Sequence, residues 1–162
     1  MVNKTEKKSK INWKVLICCF IIIYAVAALG SIFTSQGTGS DWYKSIKPSI
    51  TPPSVVFPIA WSILFFLIAL SLYICWTNTD NKEERITVGI VFGVNFVLNI
   101  IWCILYFALK NPKLAFFDII LLLASIVSML LLSLKINHKS FWLLMPYFLW
   151  VCFASILNFL SI

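Results

Sequence analysis

Long apolar stretches separated by short charged segments dominate the pattern of this chain. A helix needs roughly 20 apolar residues to cross a hydrocarbon core of about 30 Å. Five stretches reach that length: 15–40, 48–79, 86–109 and 140–162 contain no charge, and 114–134 contains one, Asp118. The pattern therefore predicts five membrane spans, at 11–33, 54–76, 86–109, 114–134 and 140–161.

Helices are the structure that these runs favour. Transmembrane strands alternate apolar and polar residues over about ten positions, whereas the apolar runs here are continuous. The first run is also too long for the apolar core of a signal peptide. The predicted fold is an all-α, integral membrane bundle of five transmembrane helices over 11–162, preceded by a basic tail at 1–10.

Composition excludes an ordinary soluble domain. Apolar types make up 61% of the chain and charged types 12%, against about 45–50% and about 25% in typical globular domains. The net charge of +7 is typical of basic flanks that hold helices against anionic lipid, and no basic–aromatic patch outside the spans indicates nucleic acid. The five cysteines lie in apolar segments without CxxC spacing, so we expect packing roles and no metal site.

Basic residues favour an N-terminus inside the cell. With that orientation the inner segments carry nine lysines and arginines, four of them in the tail 1–10, and the outer segments carry four. Without the tail residues the two sides nearly balance. We expect a prokaryotic cell membrane.

Polar and aromatic side chains within the spans gather in one half of the bundle. In an up-and-down path, the start of spans 2 and 4 and the end of spans 3 and 5 share one side of the membrane, beneath the loop 34–53. The residues placed there are Trp61, Asn99, Trp102, Tyr106, Asp118 and Asn158.

Helical spacing in span 3 supports this clustering. Asn95, Asn99, Trp102 and Tyr106 follow the i, i+4, i+7, i+11 pattern of one helix face. Gly89 and Gly93 form a G-x-x-x-G pair on roughly the opposite face, which permits close helix approach. This pair fits either packing within the bundle or a homodimer contact.

Asp118 is the residue within the spans that points most specifically to a functional role. Ionisable groups within spans are costly and usually face the bundle interior or water. Two interpretations stay open: a structural hydrogen-bond anchor, or a carboxylate that contacts a ligand or exchanges a proton. The only histidine, His138, falls on the opposite side of the membrane, so a Ser–His–Asp unit or a metal cluster with Asp118 is excluded.

Several aromatic residues are poorly explained by the interfacial preference of Trp. Trp102 and Trp150 fall well inside their spans, and Trp61 is intermediate. A buried indole offers a large ring face and an N–H that needs a partner, which suits a flat, largely apolar ligand. The proline-rich loop above them is unusually long for a linker and is predicted to act as a lid.

Sequence motifs in this order resemble the tryptophan-rich sensory protein/translocator protein family, also called the peripheral benzodiazepine receptor family. The resemblance covers about 24–158. The motifs are Trp42-Tyr43, Lys47-Pro48-x-x-x-Pro52-Pro53, Pro58-x-x-Trp61, Leu98-Asn99-x-x-Trp102, Ala115-x-x-Asp118 and Leu144-x-Pro146-Tyr147-x-x-Trp150-x-x-Phe153-Ala154-x-x-Leu157-Asn158.

This resemblance implies a receptor, usually dimeric, that binds porphyrins and haem as ligands and needs no obligatory cofactor. Light-dependent porphyrin breakdown in some bacterial relatives implies catalytic roles for Trp61 and Trp150. If the protein is a dimer, Gly89 and Gly93 are the expected contact. The residues implied to line or close the ligand pocket are Trp42, Pro48, Trp61, Phe65, Asn99, Trp102, Asp118, Tyr147, Trp150 and Ala154.

The chain departs from the family pattern at several positions, and these departures affect which ligand we expect it to bind. Ile50 stands where the loop usually has Trp, Asn95 stands where Gln is common, and Ala69 replaces a frequent Gly. The C-terminus lacks the Tyr and the basic residue of the animal sterol motif, which lowers the expectation of cholesterol binding. A tetrapyrrole receptor is the leading hypothesis. Porphyrin photo-oxidation and a transporter that uses Asp118 are the alternatives.

Overall fold

Five long helices and one short helix make up the protein. The computed structural model describes residues 11–79 and 81–162, so the predicted basic tail 1–10 lies outside the described residues. Within that part of the chain no strand occurs and about 85% of residues are helical. The helices are α1 (Trp13–Thr38), α2 (Asp41–Ile46), α3 (Val56–Thr77), α4 (Lys82–Cys103, continued by a π-helical turn at Ile104–Ala108), α5 (Pro112–Ile136) and α6 (His138–Phe159).

The five-span prediction is confirmed. All helices except α2 are long and apolar enough to cross a membrane. These five helices pack side by side in a closed ring, in the order α1, α3, α6, α5, α4, and α4 also contacts α1. The helices run alternately up and down. We call the end of the bundle that holds the start of α1 the lower end, and the end that holds α2, the π turn and the end of α6 the upper end.

Asparagine caps explain why three helices begin earlier than the hydrophobic pattern predicts. The Asn81 side chain accepts a hydrogen bond from the backbone N–H of Glu84 at 2.8 Å, and Asn111 accepts one from Leu114 at 3.1 Å. Asn137 accepts one from Lys139 at 2.9 Å. Each cap satisfies an N–H that the first helical turn leaves unpaired, so the helix starts in the polar segment before the span.

The loop prediction for 34–53 was wrong for half of that segment. Helix α1 runs on to Thr38, and Ser40 then caps α2 by accepting a hydrogen bond from the backbone N–H of Tyr43 at 3.2 Å. A six-residue helix is too short to show hydrophobic periodicity, so the pattern could not predict it. We call α2 the cap helix, because it lies across the upper end of the bundle.

Ring contacts hold the cap helix on the π turn. The Trp42 ring packs edge-on against Tyr106 with centroids 5.8 Å apart, and Tyr43 packs against Phe107 at the same separation. Burial raises the pKa of the Tyr43 hydroxyl above its usual value, so this hydroxyl stays neutral where the cap helix meets the π turn.

Gly37 permits the close approach that brings the cap helix down. A Cβ atom added at Gly37 would lie 2.7 Å from Cβ of Phe107, which is closer than real side chains approach. The last turn of α1 can therefore contact the π turn only if residue 37 has no side chain.

A serine–cysteine cluster ties the lower half of α3, α5 and α6 together. The hydroxyls of Ser71 and Ser140 lie 2.6 Å apart, and the Ser140 hydroxyl is 3.2 Å from that of Ser133. The sulfur of Cys75 is 3.0 Å from the Ser140 hydroxyl. Small polar residues of this kind let helices pack closely and bond across an apolar interface.

We expect Gly37→Ala to lower the thermal stability of the purified protein clearly, because the new methyl group must displace the Phe107 ring or the end of α1. Overpacking of this kind costs about 1–3 kcal/mol. Gly39→Ala is the matched control, since nothing lies within 4 Å of a Cβ there and its φ of −83° suits any residue. Thermal unfolding in detergent measures both, and equal midpoints for the two variants would contradict the role given to Gly37.

Candidate functional site

An amide–tyrosine network crosses the middle of the bundle. The Tyr147 hydroxyl on α6 donates to the side-chain oxygen of Asn95 at 3.1 Å, and the Asn99 amide donates to the same hydroxyl at 3.5 Å. The Asn95 amide donates to Ser125 on α5 at 2.8 Å. Because hydrocarbon offers no hydrogen-bond partner, these groups satisfy one another and fix the facing sides of α4, α5 and α6.

Trp61 and Phe65 lie next to this network. Their rings stack with centroids 5.2 Å apart on one face of α3, and the Trp61 ring also packs edge-on against Tyr147 at 6.2 Å. This face of α3 is therefore directed toward α6. Trp61 is half-buried, so part of its surface is free of protein contacts.

A second group of contacts fills the space nearer the cap helix. The Trp102 ring stacks on Tyr106 with centroids 5.0 Å apart and planes 20° apart, and its indole N–H donates to Asn158 at 3.0 Å. The Asn158 amide donates in turn to the Pro112 carbonyl at 2.9 Å. The Tyr106 hydroxyl donates to Ser161 at 2.9 Å.

The π turn sets the position of these rings. It adds one residue to the helix, and the N–H of Leu109 bonds to the Ile104 carbonyl at 2.9 Å. Tyr106 and Phe107 are both buried, and Lys110 then leaves the helix with a positive φ of 50°. The i, i+11 spacing predicted Tyr106 on the inner face correctly, whereas nothing in the sequence indicated the π turn.

Asp118 lies inside the bundle, as predicted. Only 6% of its surface is exposed, and its Oδ2 atom has no hydrogen-bond partner among the described residues. Three residues earlier on the same face of α5, Ala115 packs against the ring cluster of Tyr106 and Phe107. Buried polar atoms nearly always have a partner, so the unpartnered Oδ2 makes Asp118 a candidate contact for a ligand.

Thr51 is the other described residue with a buried side-chain oxygen that lacks a partner. It follows Pro48 in the segment between the cap helix and α3, and its backbone N–H bonds to the Pro48 carbonyl at 3.0 Å. Both unpartnered oxygens therefore belong to the upper half of the bundle or the segment that closes it.

Trp150 occupies a different position from the other predicted site residues. Its ring packs against Phe57 with centroids 5.9 Å apart and lines a groove on the outer surface between α3 and α6. Ala154, one turn further along α6, is half-buried against the main core. The structure thus brings Trp61, Phe65, Asn99, Trp102, Asp118 and Tyr147 into the upper half of the bundle and places Trp150 at its edge.

Ser125 and Ser161 are functional neighbours that the motifs did not single out. Ser125 is seven residues after Asp118 and shares its helix face, so spacing alone could have identified it. Ser161 follows the last helix, where no periodicity applies. His138 begins α6 at the lower end, and the length of α5 separates it from Asp118.

Gly89 and Gly93 lie beside a second groove, between α1, α3 and α4. This groove has a volume of about 330 Å³ and is lined almost entirely by apolar side chains, among them Trp76 and Phe92. A Cβ atom added at Gly93 would meet nothing within 4 Å, so this position is open on the outside of the bundle. Close packing within the bundle therefore does not explain why residue 93 is a glycine.

Comparison with known proteins matches the chain to the TspO/MBR family over residues 19–161. A tryptophan-rich protein TspO from Archaeoglobus fulgidus is 38% identical over 89% of this chain and 92% of its own length. One from Chlorobaculum tepidum is 35% identical over 89% and 91%. The translocator protein of Ovis aries is 28% identical over 76% and 75%.

These matches span nearly all of the five-helix bundle, including the cap helix, the amide–tyrosine network and the face of α5 that carries Asp118. The resemblance seen in the motifs is thereby confirmed. The chain belongs to the TspO/MBR family of integral membrane proteins.

Proposed function

We propose that this protein is a membrane receptor that binds a tetrapyrrole, or a similarly flat and apolar molecule, in the upper half of the bundle beneath the cap helix. The observation that carries the proposal is the buried Oδ2 of Asp118, which has no partner among the described residues and lies on the face of α5 that meets the ring cluster. A planar ligand with a few polar substituents supplies both ring faces and a hydrogen-bond partner.

Each predicted site residue has a distinct part in this proposal. The half-buried Trp61 offers a ring face for stacking, and Asn99 contributes an amide whose bond to Tyr147 is long, at 3.5 Å, and easily exchanged. Trp42 and Pro48 close the site from above. The rings of Trp102 and Tyr106 stack on each other in this structure, so a ligand that enters between them must separate them.

Other parts of the family's chemistry stay predictions for this chain. Photo-oxidation of a bound porphyrin would use Trp61 and Trp150. Transport would use Asp118 as the proton-coupled carboxylate, and the name translocator protein belongs to the sheep relative. Neither alternative has an observation of its own here, because the same residues serve the binding proposal.

We expect Trp61→Ala to weaken binding of protoporphyrin IX about two- to tenfold, since stacking on one aromatic ring is worth about 0.5–1.5 kcal/mol. Binding is measured by titrating the purified protein and following the porphyrin absorption band. Trp142→Ala is the matched control, because Trp142 is 67% exposed at the lower end of the bundle. A wild type that does not bind, or equal affinities for both variants, would refute the proposed site.

We also propose that two copies associate through the α1–α4 face that carries Gly89 and Gly93. The open space at Gly93 and the apolar groove beside it support a close helix contact from outside. Gly93→Ile should reduce the dimer fraction in detergent, measured by light scattering during gel filtration. Val94→Ile, one position round the same helix, should leave it unchanged, and a monomeric wild type would exclude the contact.

The orientation that we propose places the lower end inside a prokaryotic cell. Among the described residues five basic side chains lie at the lower end and four at the upper end, and bacterial and archaeal relatives support this type of membrane. Alkaline phosphatase, which is active only outside the cytoplasm, should be active when fused after Ile162 and inactive when fused after Asn137. The reverse pattern would invert the topology.

A further inference from the structure

A groove runs between α3 and α6 on the surface of the bundle. It has a volume of about 470 Å³, within the range of small-molecule sites, and its lining is almost wholly apolar. Ile63 and Leu149 are more than half exposed, so the groove opens toward the lipid. Its lining residues are Ala60, Ile63, Leu64, Pro146, Leu149, Trp150 and Phe153.

Helices α3 and α6 are joined firmly below this groove. The hydroxyls of Ser71 and Ser140 lie 2.6 Å apart, and each hydroxyl oxygen is also within hydrogen-bond distance of the other residue's carbonyl, at 3.2 and 3.1 Å. Both residues are fully buried. This bond fixes the antiparallel register of the two helices at their lower ends.

The contact between the helices changes in character toward the upper end. Trp61 lies ten residues before Ser71 on α3, and Trp150 lies ten residues after Ser140 on α6. Because the two helices are antiparallel, both tryptophans lie at the same level of the bundle. At this level we find ring contacts and the apolar groove, with no hydrogen bond between α3 and α6 among the described residues. Pro146 also removes one N–H from the α6 backbone here, which makes that part of the helix easier to bend.

Only a thin layer of side chains separates this groove from the proposed ligand site. Leu64 lines the groove and is itself 4% exposed, and Tyr147 follows Pro146 on α6. Behind them, the Trp61 ring packs against the Tyr147 ring at 6.2 Å. Trp150 is at the edge of this layer, where its ring faces the groove and contacts Phe57.

The upper surface offers a poorer route into the bundle. The cap helix covers that end through the contacts of Trp42 with Tyr106 and of Tyr43 with Phe107, and Gly37 brings α1 against the same rings. A flat apolar molecule also partitions into hydrocarbon, where its concentration far exceeds that in water.

We infer that the α3–α6 groove is the lateral portal through which a flat apolar ligand passes from the lipid into the upper half of the bundle, with Trp150 as the ring it meets first. This inference rests on the proposed function. The hydrogen-bonded lower ends hold the two helices together, while their upper parts separate enough to admit the ligand.

Two variants test the portal by narrowing the groove while leaving the residues of the proposed ligand site unchanged. Ala60→Phe fills the groove, and Ile63→Phe is a second variant whose lipid-exposed position avoids any effect on the core. Ala28→Phe, on the exposed face of α1, is the matched control. Protein in phosphatidylcholine vesicles is mixed with vesicles that contain protoporphyrin IX, and stopped-flow porphyrin fluorescence gives the association and dissociation rates.

A portal residue changes both rates and leaves the equilibrium alone. We expect Ala60→Phe to slow association and dissociation by the same factor, about fivefold or more, with Kd within twofold of wild type, and Ile63→Phe to do so more weakly. Ala28→Phe should match wild type.

The outcomes separate this inference from the proposed function. Unchanged rates in both groove variants, with normal binding by the wild type, would refute the portal and leave the ligand site standing. A weaker Kd with faster dissociation would make the groove the resting site of the ligand and would also refute the portal. A wild type that binds no porphyrin would refute both proposals.

Discussion

The lack of hydrogen-bond partners in hydrocarbon governs this structure. Each polar side chain inside the bundle must find its partner within the protein, on its own helix or on a neighbouring one, because neither lipid nor bulk water supplies one. Tyr147, Asn95 and Ser125 meet this requirement across three helices, and Ser71 and Ser140 meet it between two. These bonds fix the relative rotation of the helices more strictly than apolar packing could, since packing against lipid and packing against protein differ little in energy. Asp118 stands out because one of its oxygens does not meet the requirement.

The two halves of the bundle satisfy this constraint in different ways. The lower half uses small hydroxyl and thiol groups, so α3, α5 and α6 approach closely and leave little room between them. The upper half uses long amide and aromatic side chains, which offer ring faces as well as polar tips. This difference is why the proposed ligand site lies in the upper half.

Much of this arrangement could be predicted from the sequence. Long apolar runs predicted all five spans, and the up-and-down path together with helical spacing placed Asn99, Trp102 and Asp118 in one half of the bundle. The remaining features depend on contacts that spacing does not encode. The π turn and the cap helix are each too short to produce a period, and Trp150 lies at the edge of the site because ring direction depends on the rotation of α6 against α3.

Asn158 joins three helices through one side chain. It accepts from the Trp102 indole on α4 and donates to the carbonyl of Pro112, the first residue of α5, while its own backbone belongs to the last turn of α6. If a bound molecule turns the Trp102 ring, the amide loses one partner and the ends of all three helices lose a shared restraint. A change in the orientation of one ring deep in the bundle would thereby loosen the outer rim of the protein.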